Sequence, residues 1–315
     1  MYKSWFGLRE SPFGVTPDLR FVYLSRLHRE ALAGMTYGIL SRKRFIILSG
    51  DVGTGKTTLV KTAVRHLPGS LTRVGLITNS TLTAREVLES TLWSFGLTEI
   101  PPSKVERLGL LEELLQTDVR QGRTSTLIVD EAHKLGYQAL EEIRLLGNFD
   151  SLQIVLAGQS ELVETLDRDE LRAFKQRIAL RLCQAPLSVP DVEQYVSYRW
   201  KTAGGKLPAP FDKQALLRIA HESRGIPRLI NVLCDTALIT AFQDRRYVAT
   251  GKDILEASGE LHLRTLAKAP EMAVAPVQEP VRTDVPNGRA GILGRVFRMT
   301  RSGDHTDLAS SKAKV

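Results

Sequence analysis

The run Gly50-Asp51-Val52-Gly53-Thr54-Gly55-Lys56-Thr57 constrains this chain more than any other feature. It matches G-x-x-x-x-G-K-[ST], the P-loop or Walker A pattern. It follows Phe45-Ile46-Ile47-Leu48, which reads as a short buried strand, and precedes residues 58–64, which read as helix. Strand, glycine-rich loop and helix in that order are the context such a loop requires. The glycines let backbone N–H groups come close to a phosphate chain, and the positive end of the helix dipole adds to the attraction. In this reading Gly50, Asp51, Val52, Gly53, Thr54, Gly55, Lys56, Thr57 and Thr58 cradle the phosphates of ATP. Lys56 reaches the β- and γ-phosphates, and the Thr57 hydroxyl holds Mg2+.

Leu127-Ile128-Val129-Asp130-Glu131 is the second anchor. An apolar run that ends in two carboxylates describes a buried strand with acids at its tip, the Walker B arrangement. Asp130 is expected beside the Mg2+ shell near Thr57, and Glu131 is expected to orient the attacking water and accept its proton. Strand tips of a parallel sheet are where such groups converge. His133 either senses the site or caps the following helix, and it is left unassigned. The next apolar run, Gln153-Ile154-Val155-Leu156-Ala157, ends in Gly158-Gln159-Ser160. Gln159 is the candidate for sensing the γ-phosphate. The competing reading is a loop amide satisfied by backbone.

Around these motifs strand and helix patterns alternate. Residues 72–78, 125–129, 152–157 and 178–182 read as strands, and 27–40, 84–95, 104–121 and 136–146 as helices. Strands separated by helices imply a mainly parallel sheet covered on both faces. The composition changes near Leu187-Ser188-Val189-Pro190-Asp191. Ser188 and Asp191 fit a capping box with Pro190 in the first turn. From there the patterns are all helical, over 192–203, 212–222, 227–242 and 252–263. The expected fold class is therefore α/β, a P-loop NTPase with a parallel sheet flanked by helices, a small all-helical lid domain and a disordered C-terminal tail. The expected boundaries are an N-terminal segment at 1–44 packing on the core, the nucleotide-binding domain at 45–187, the lid at 188–267 and the tail at 268–315. The tail is rich in Pro, Ala and Val. Within it, residues 289–301 place Ile292, Leu293, Val296 and Phe297 on one helical face among arginines. This describes either a basic unstructured stretch or a short amphipathic helix that docks on anionic lipid or a partner.

Composition narrows the function classes. With 315 residues and 43% apolar content the chain can bury real cores. No stretch approaches the roughly 18 apolar residues of a membrane span, and the N-terminus has no signal-peptide pattern. A cytoplasmic location follows as the expectation, with peripheral contact at the inner membrane through the tail left open. Cys183 and Cys234 have no metal or redox spacing and read as small core residues, and the six histidines form no zinc signature. The net charge of +8 favours an anionic partner.

These blocks together resemble the ExeA-like AAA+ ATPases, also called general secretion pathway protein A ATPases, with Tn7-type transposition regulators as more distant relatives. The resemblance covers about residues 1–265. It is carried by Phe6-Gly7-Leu8, Pro12-Phe13, Thr16-Pro17-Asp18, His28-Arg29-Glu30-Ala31-Leu32, the P-loop, Asp130-Glu131-Ala132-His133, Leu156-Ala157-Gly158-Gln159, and the stretch from Ser223-Arg224-Gly225-Ile226-Pro227-Arg228 to Asn231. It implies ATP hydrolysis with Mg2+ in a homo-oligomer, ring or filament. It implies that Arg228 is a sensor 2 arginine reaching the nucleotide's phosphates, and that Arg177 lies in the region offering an arginine finger to a neighbouring subunit, with Arg172 and Arg181 as competitors. Phe13, Pro17 and Tyr23 match the stretch that packs near the adenine, and a plain core role competes with that. Secretion-type members often carry a transmembrane helix and a peptidoglycan-binding module after the lid. Neither is legible here, which puts a direct cell-wall role in doubt. The implied role is the coupling of ATP turnover to remodelling of a protein partner in envelope secretion or polysaccharide export. A DNA-associated ATPase of the transposition type is the alternative, with DNA as partner. A nucleotide switch that does not hydrolyse is a third, against which the acidic pair argues.

Overall fold

In the computed structural model the described residues are 2–261. The reading of residues 289–301 lies outside them. Five strands form one parallel sheet: β1 (Phe45–Gly50), β2 (Thr72–Ile77), β3 (Thr124–Val129), β4 (Leu152–Gly158) and β5 (Ile178–Gln184), in the order β2-β3-β4-β1-β5. Strand β4 lies between β1 and β3. Ile47 is in register with Leu156, and Leu127 with Ile154.

The apolar runs that flagged these strands are buried on both sides. Alternate residues of a strand face opposite ways. Phe45 and Ile47 of β1, Leu127 and Val129 of β3, and Ile154 and Leu156 of β4 join one core with helices α4 (Ala84–Ser94), α5 (Lys104–Arg120), α6 (Tyr137–Leu146) and α7 (Ser160–Leu166). Ile46, Leu48, Ile128, Val155 and Ala157 face the other way, onto α2 (Arg26–Leu40) and α3 (Lys56–His66). The fold is thus the expected P-loop sheet flanked by helices.

Beyond β5 the chain turns all-helical: α9 (Val189–Thr202), α10 (Lys213–Ser223), α11 (Pro227–Gln243) and α12 (Gly251–Glu260). Ser188 caps α9 by accepting from the Asp191 N–H, and the helix begins three residues before the apolar pattern suggested. The N-terminal segment divides between the two parts. Helix α2 packs on β5 and α3. Tyr2, Leu8, Phe13 and Phe21 instead enter the core of the helical part with Tyr195, Trp200 and Phe211. The segment from Tyr2 through the short helix α1 (Tyr2–Trp5) to Phe21 therefore does not rest on the sheet, as its position before β1 suggested. Its aromatic side chains match an apolar surface that only the later helices create.

Cys234 is buried, but Cys183 is exposed. Strand β5 is the sheet's edge, covered on one face only, so Ala179, Arg181 and Cys183 point outward. The cysteine's core reading fails because hydrophobic company along the chain does not reveal which strand lies at the edge. The sequence also gave no warning of α7 or of the single turn α8 (Arg172–Lys175). No helix among the described residues is long and apolar enough to cross a membrane.

The far edge of the sheet is tied by a buried carboxylate. Asp118, at the end of α5, is fully buried. It accepts two hydrogen bonds from the Arg73 guanidinium (2.6 and 3.1 Å) and one from the Ser125 hydroxyl (2.7 Å). Burial pushes its pKa up, but the donors from Arg73 and Ser125 outweigh that and hold it below the usual carboxylate value. A group depressed in the folded state contributes stability above its unfolded pKa of about 3.9, and that stability is lost as pH falls through its folded pKa. Asp118→Ala is expected to cost about 3 kcal/mol near neutral pH. The difference from wild type should shrink below about pH 4, measured by urea unfolding across pH.

Candidate nucleotide-binding cleft

The loop after β1 wraps into the N-terminus of α3. Gly53 (φ 80°) and Gly55 (φ 97°) sit in the left-handed region that suits glycine. A Cβ on Gly53 would come within 3.0 Å of Ile226 and 3.1 Å of Arg228. The loop is thus pressed against the first turn of α11, whose Arg228 N–H donates to the Gly53 carbonyl (3.3 Å). Lys56 is buried and curls back over the loop. Its Nζ donates to the carbonyls of Gly50 (2.7 Å) and Asp51 (2.9 Å). Burial lowers its pKa, opposed by Glu131, Asp130 and Asp51.

The acidic pair arrives from β3. The Thr57 hydroxyl donates to Asp130 Oδ2 at 2.6 Å, although 73 residues separate them. The other carboxylate oxygen of Asp130 accepts from the Glu131 N–H (2.9 Å), and the Ser80 hydroxyl, in the loop after β2, donates to the Asp130 carbonyl. Glu131 has φ 55°, a left-handed conformation uncommon outside glycine, asparagine and aspartate. This turns its side chain away from the strand line. Its carboxylate faces Lys134 (3.4 Å) and His133 (3.8 Å). Gln159 follows β4, and because β4 lies between β1 and β3 it stands between the P-loop and the acidic pair.

These groups open on one cleft of about 510 Å3, lined by the residues from Val52 to Leu59 together with Glu131, Gln159 and Arg228. Pro17 and Tyr23 line it as well. Phe13 does not. It is buried in the helical core with its ring against Phe211, so of the three residues assigned to the adenine side it takes the core role.

Arg177 is placed apart from its own chain's cleft. It precedes β5, at the end of the sheet where Phe45 pairs with Ile178. The P-loop leaves from the other end, where Gly50 pairs with Gln184. Its guanidinium donates to the Arg144 carbonyl (3.2 Å) and to Asn148 Oδ1 (2.7 Å). Arg181 is paired with Asp167 (3.0 Å). Arg172 is exposed, and its guanidinium has no partner among the described residues.

Gln184 is a cleft residue that sequence reasoning missed. It ends β5, is buried, and donates from Nε2 to the Thr54 carbonyl (2.6 Å). The edge strand thus grips the phosphate loop directly. A glutamine closing an otherwise alternating strand was the available signal, but it gains meaning only once β5 is known to lie beside β1.

Three hard oxygen-bearing groups, Thr57, Asp130 and Glu131, converge beside a glycine loop and a helix N-terminus. That donor set fits Mg2+, which prefers oxygen ligands and takes few from protein when a polyphosphate supplies the rest. Asp130 and Thr57 would hold the ion.

Comparison with known proteins agrees with this picture. A family model described as an AAA domain matches residues 39–166. General secretion pathway protein A of Aeromonas hydrophila is 39% identical over 270 residues, covering 83% of this chain and 48% of that protein. The ATP-dependent target DNA activator B of Escherichia phage Mu is 27% identical over 201 residues, covering 62% of this chain and 59% of its own length. The chain therefore spans about half the length of the curated relatives it matches. Among solved structures, the Drosophila ORC bound to DNA has a TM-score of 0.60 at 20% identity, covering 83% of this chain and 70% of that one. The Aeropyrum pernix ORC2 protein, in ADPNP and ADP complexes, has a TM-score of 0.58 at 16% identity, covering 76% and 71%. At these identities the structural likeness speaks for the fold.

Gly53→Ala is the sharpest test of how loop and lid meet. A methyl group there carries a left-handed strain of about 1–2 kcal/mol and pushes on Ile226 and Arg228. The variant is expected to unfold at lower urea concentration by about that free energy and to bind nucleotide more weakly, measured by chemical denaturation and equilibrium titration.

Proposed function

The chain belongs to the AAA+ ATPases of the general secretion pathway protein A type, and from that premise we propose that it binds Mg·ATP in this cleft and hydrolyses it as an oligomer. The observation that carries the reading is the 2.6 Å contact between Thr57 and Asp130, made at the mouth of the glycine loop. A hydroxyl and a carboxylate so paired support the reading, because a metal-bound triphosphate would use both.

Each residue then has a physical task. The loop amides from Gly53 to Thr58 and the helix dipole bind the phosphates. Lys56 exchanges the carbonyls of Gly50 and Asp51 for phosphate oxygens, and so keeps its charge paired throughout. Mg2+, when bound, would neutralise phosphate charge. Glu131 orients a water for in-line attack and takes its proton, a role suited to a carboxylate that is one-third exposed and backed by Lys134. Gln159 contacts the γ-phosphate from its place between the two motifs. Arg228 comes from the first turn of α11 and reaches the phosphates from the lid side, so nucleotide binding would draw lid and loop together.

Among the described residues the cleft's other lining arginine, Arg199, is held by the carbonyls of Pro12 and Gly14 and the Tyr195 hydroxyl, so it is not free to reach the γ-phosphate. We assign a second arginine to a neighbouring subunit, which couples turnover to assembly. Arg177 is the sequence candidate, and its internal hydrogen bonds would have to be given up. Arg172, exposed and unengaged, is the stronger competitor on that ground.

The biological output proposed is remodelling or positioning of a macromolecular partner in envelope secretion or polysaccharide export, following the Aeromonas relative. A second reading has its own support. The Mu relative is named an ATP-dependent target DNA activator, and this chain carries a net charge of +8. Under that reading duplex DNA stimulates turnover, and binding falls steeply with salt.

Glu131→Gln is expected to keep ATP affinity within about threefold while turnover drops by about a hundredfold or more, in a phosphate-release assay. Full turnover in that variant removes Glu131 from the base role. Lys56→Ala should abolish measurable ATP binding by calorimetry, and undiminished binding would overturn the cleft's assignment. Adding duplex DNA to the wild-type assay separates the two outputs.

A further inference from the structure

His133 lies beside the cleft, against two of its lining residues, without a role. Its ring is 12% exposed and lies between two groups that the proposed reaction uses. On one side Glu131 Oε2 is 3.8 Å from Nε2. On the other, Gln159 meets both ring nitrogens. The Gln159 backbone N–H donates to Nδ1 (3.4 Å), and the Gln159 side-chain amide nitrogen is placed 2.9 Å from the ring Nε2.

The order of these contacts decides where the hydrogens are. A backbone N–H cannot be turned around, so it makes Nδ1 an acceptor. In a neutral imidazole the proton then sits on Nε2. An N–H at Nε2 needs an acceptor, and the Gln159 amide offers one only with Oε1 turned toward the ring. With the amide nitrogen against the ring two donors would oppose each other, so the amide is assigned the other way round, an exchange of N and O that leaves the atom positions unchanged. With Oε1 committed to His133, the amide NH2 is the end left for the cleft, which Gln159 lines together with the P-loop and Glu131. Phosphate oxygens only accept hydrogen bonds. An amide presenting NH2 attracts a γ-phosphate, whereas one presenting its oxygen repels it.

We propose that His133 is a positioning residue that fixes the Gln159 amide with its NH2 toward the phosphate end of the cleft, making Gln159 a donor specific for the γ-phosphate. The inference rests on the cleft being the ATP site. It also gives the ring a link to Glu131, because the Nε2 proton lies between the sensing amide and the water-activating carboxylate.

Two measurements test it. Nitrogen-15 NMR of the wild-type protein should show a neutral His133 ring protonated at Nε2. A ring protonated at Nδ1, or at both nitrogens, overturns the proposal without any variant being made. Equilibrium titration with Mg·ATP and Mg·ADP should show that His133→Phe, which keeps the ring's bulk, lowers the ratio of ATP to ADP affinity about tenfold, the worth of one hydrogen bond. Gln159→Ala should do the same, and the double variant should fall no further. An unchanged ratio in folded His133→Phe, or losses that multiply, would refute the coupling. A wild-type protein that binds neither nucleotide fails differently, by removing the cleft's assignment while leaving the tautomer result intact.

Discussion

Parallel pairing of β4 between β1 and β3 is the constraint on which the rest of the molecule depends. Each of these strands ends in a loop that carries chemistry. Parallel pairing brings all three tips to one edge of the sheet. The strand order decides their sequence along that edge: phosphate loop, Gln159, acidic pair. The contact between Thr57 and Asp130 follows from this geometry, as does the meeting of Gln159 with His133. Both faces of the three strands are buried, so register is firmly held. A slip of one residue would exchange the two cores.

The second half of the cleft is made by a different kind of interaction. The N-terminal strap is clamped to α9 by Arg199, which is buried and donates to the carbonyls of Pro12 (2.6 Å) and Gly14 (3.1 Å) and to the Tyr195 hydroxyl (3.1 Å). Its guanidinium also lies 5.1 Å from the centre of the Phe21 ring. Tyr195 in turn donates to Asn231 on α11 (2.8 Å). The strap that brings Pro17 and Tyr23 to the cleft is thus fastened to the helical part, and the same helix α11 supplies Arg228. Residues of the N-terminal segment and of α11 thus meet at the phosphate loop.

Much of the site was legible along the chain because its chemistry is local. A glycine loop before a helix needs only its own eight residues to be recognised, and an apolar run ending in Asp130 and Glu131 needs only five. Gln159 lines the cleft where the same strand-tip logic puts it. What escaped were residues whose importance lies in a neighbour. Gln184 matters because β5 lies beside β1, and Cys183 is exposed because only one face of β5 is covered. Phe13 left the cleft for the helical core because its partner Phe211 lies far along the chain. Arg177 was the expected arginine finger, and the neighbours that engage it within its own chain, Asn148 and the Arg144 carbonyl, lie about thirty residues before it.

The sequence by itself determined that a glycine loop of the P-loop pattern joins a strand to a helix, that a pair of acids ends a buried strand, and that a sheet region gives way to helices near residue 187. These follow from short-range rules of backbone freedom and hydrophobic period, which act within a few residues. Tertiary structure alone decided which strands are neighbours, where the N-terminal aromatics pack, and which way the side chains around His133 hydrogen-bond. Those choices depend on filling two cores and satisfying buried donors at once, and no local pattern carries that information.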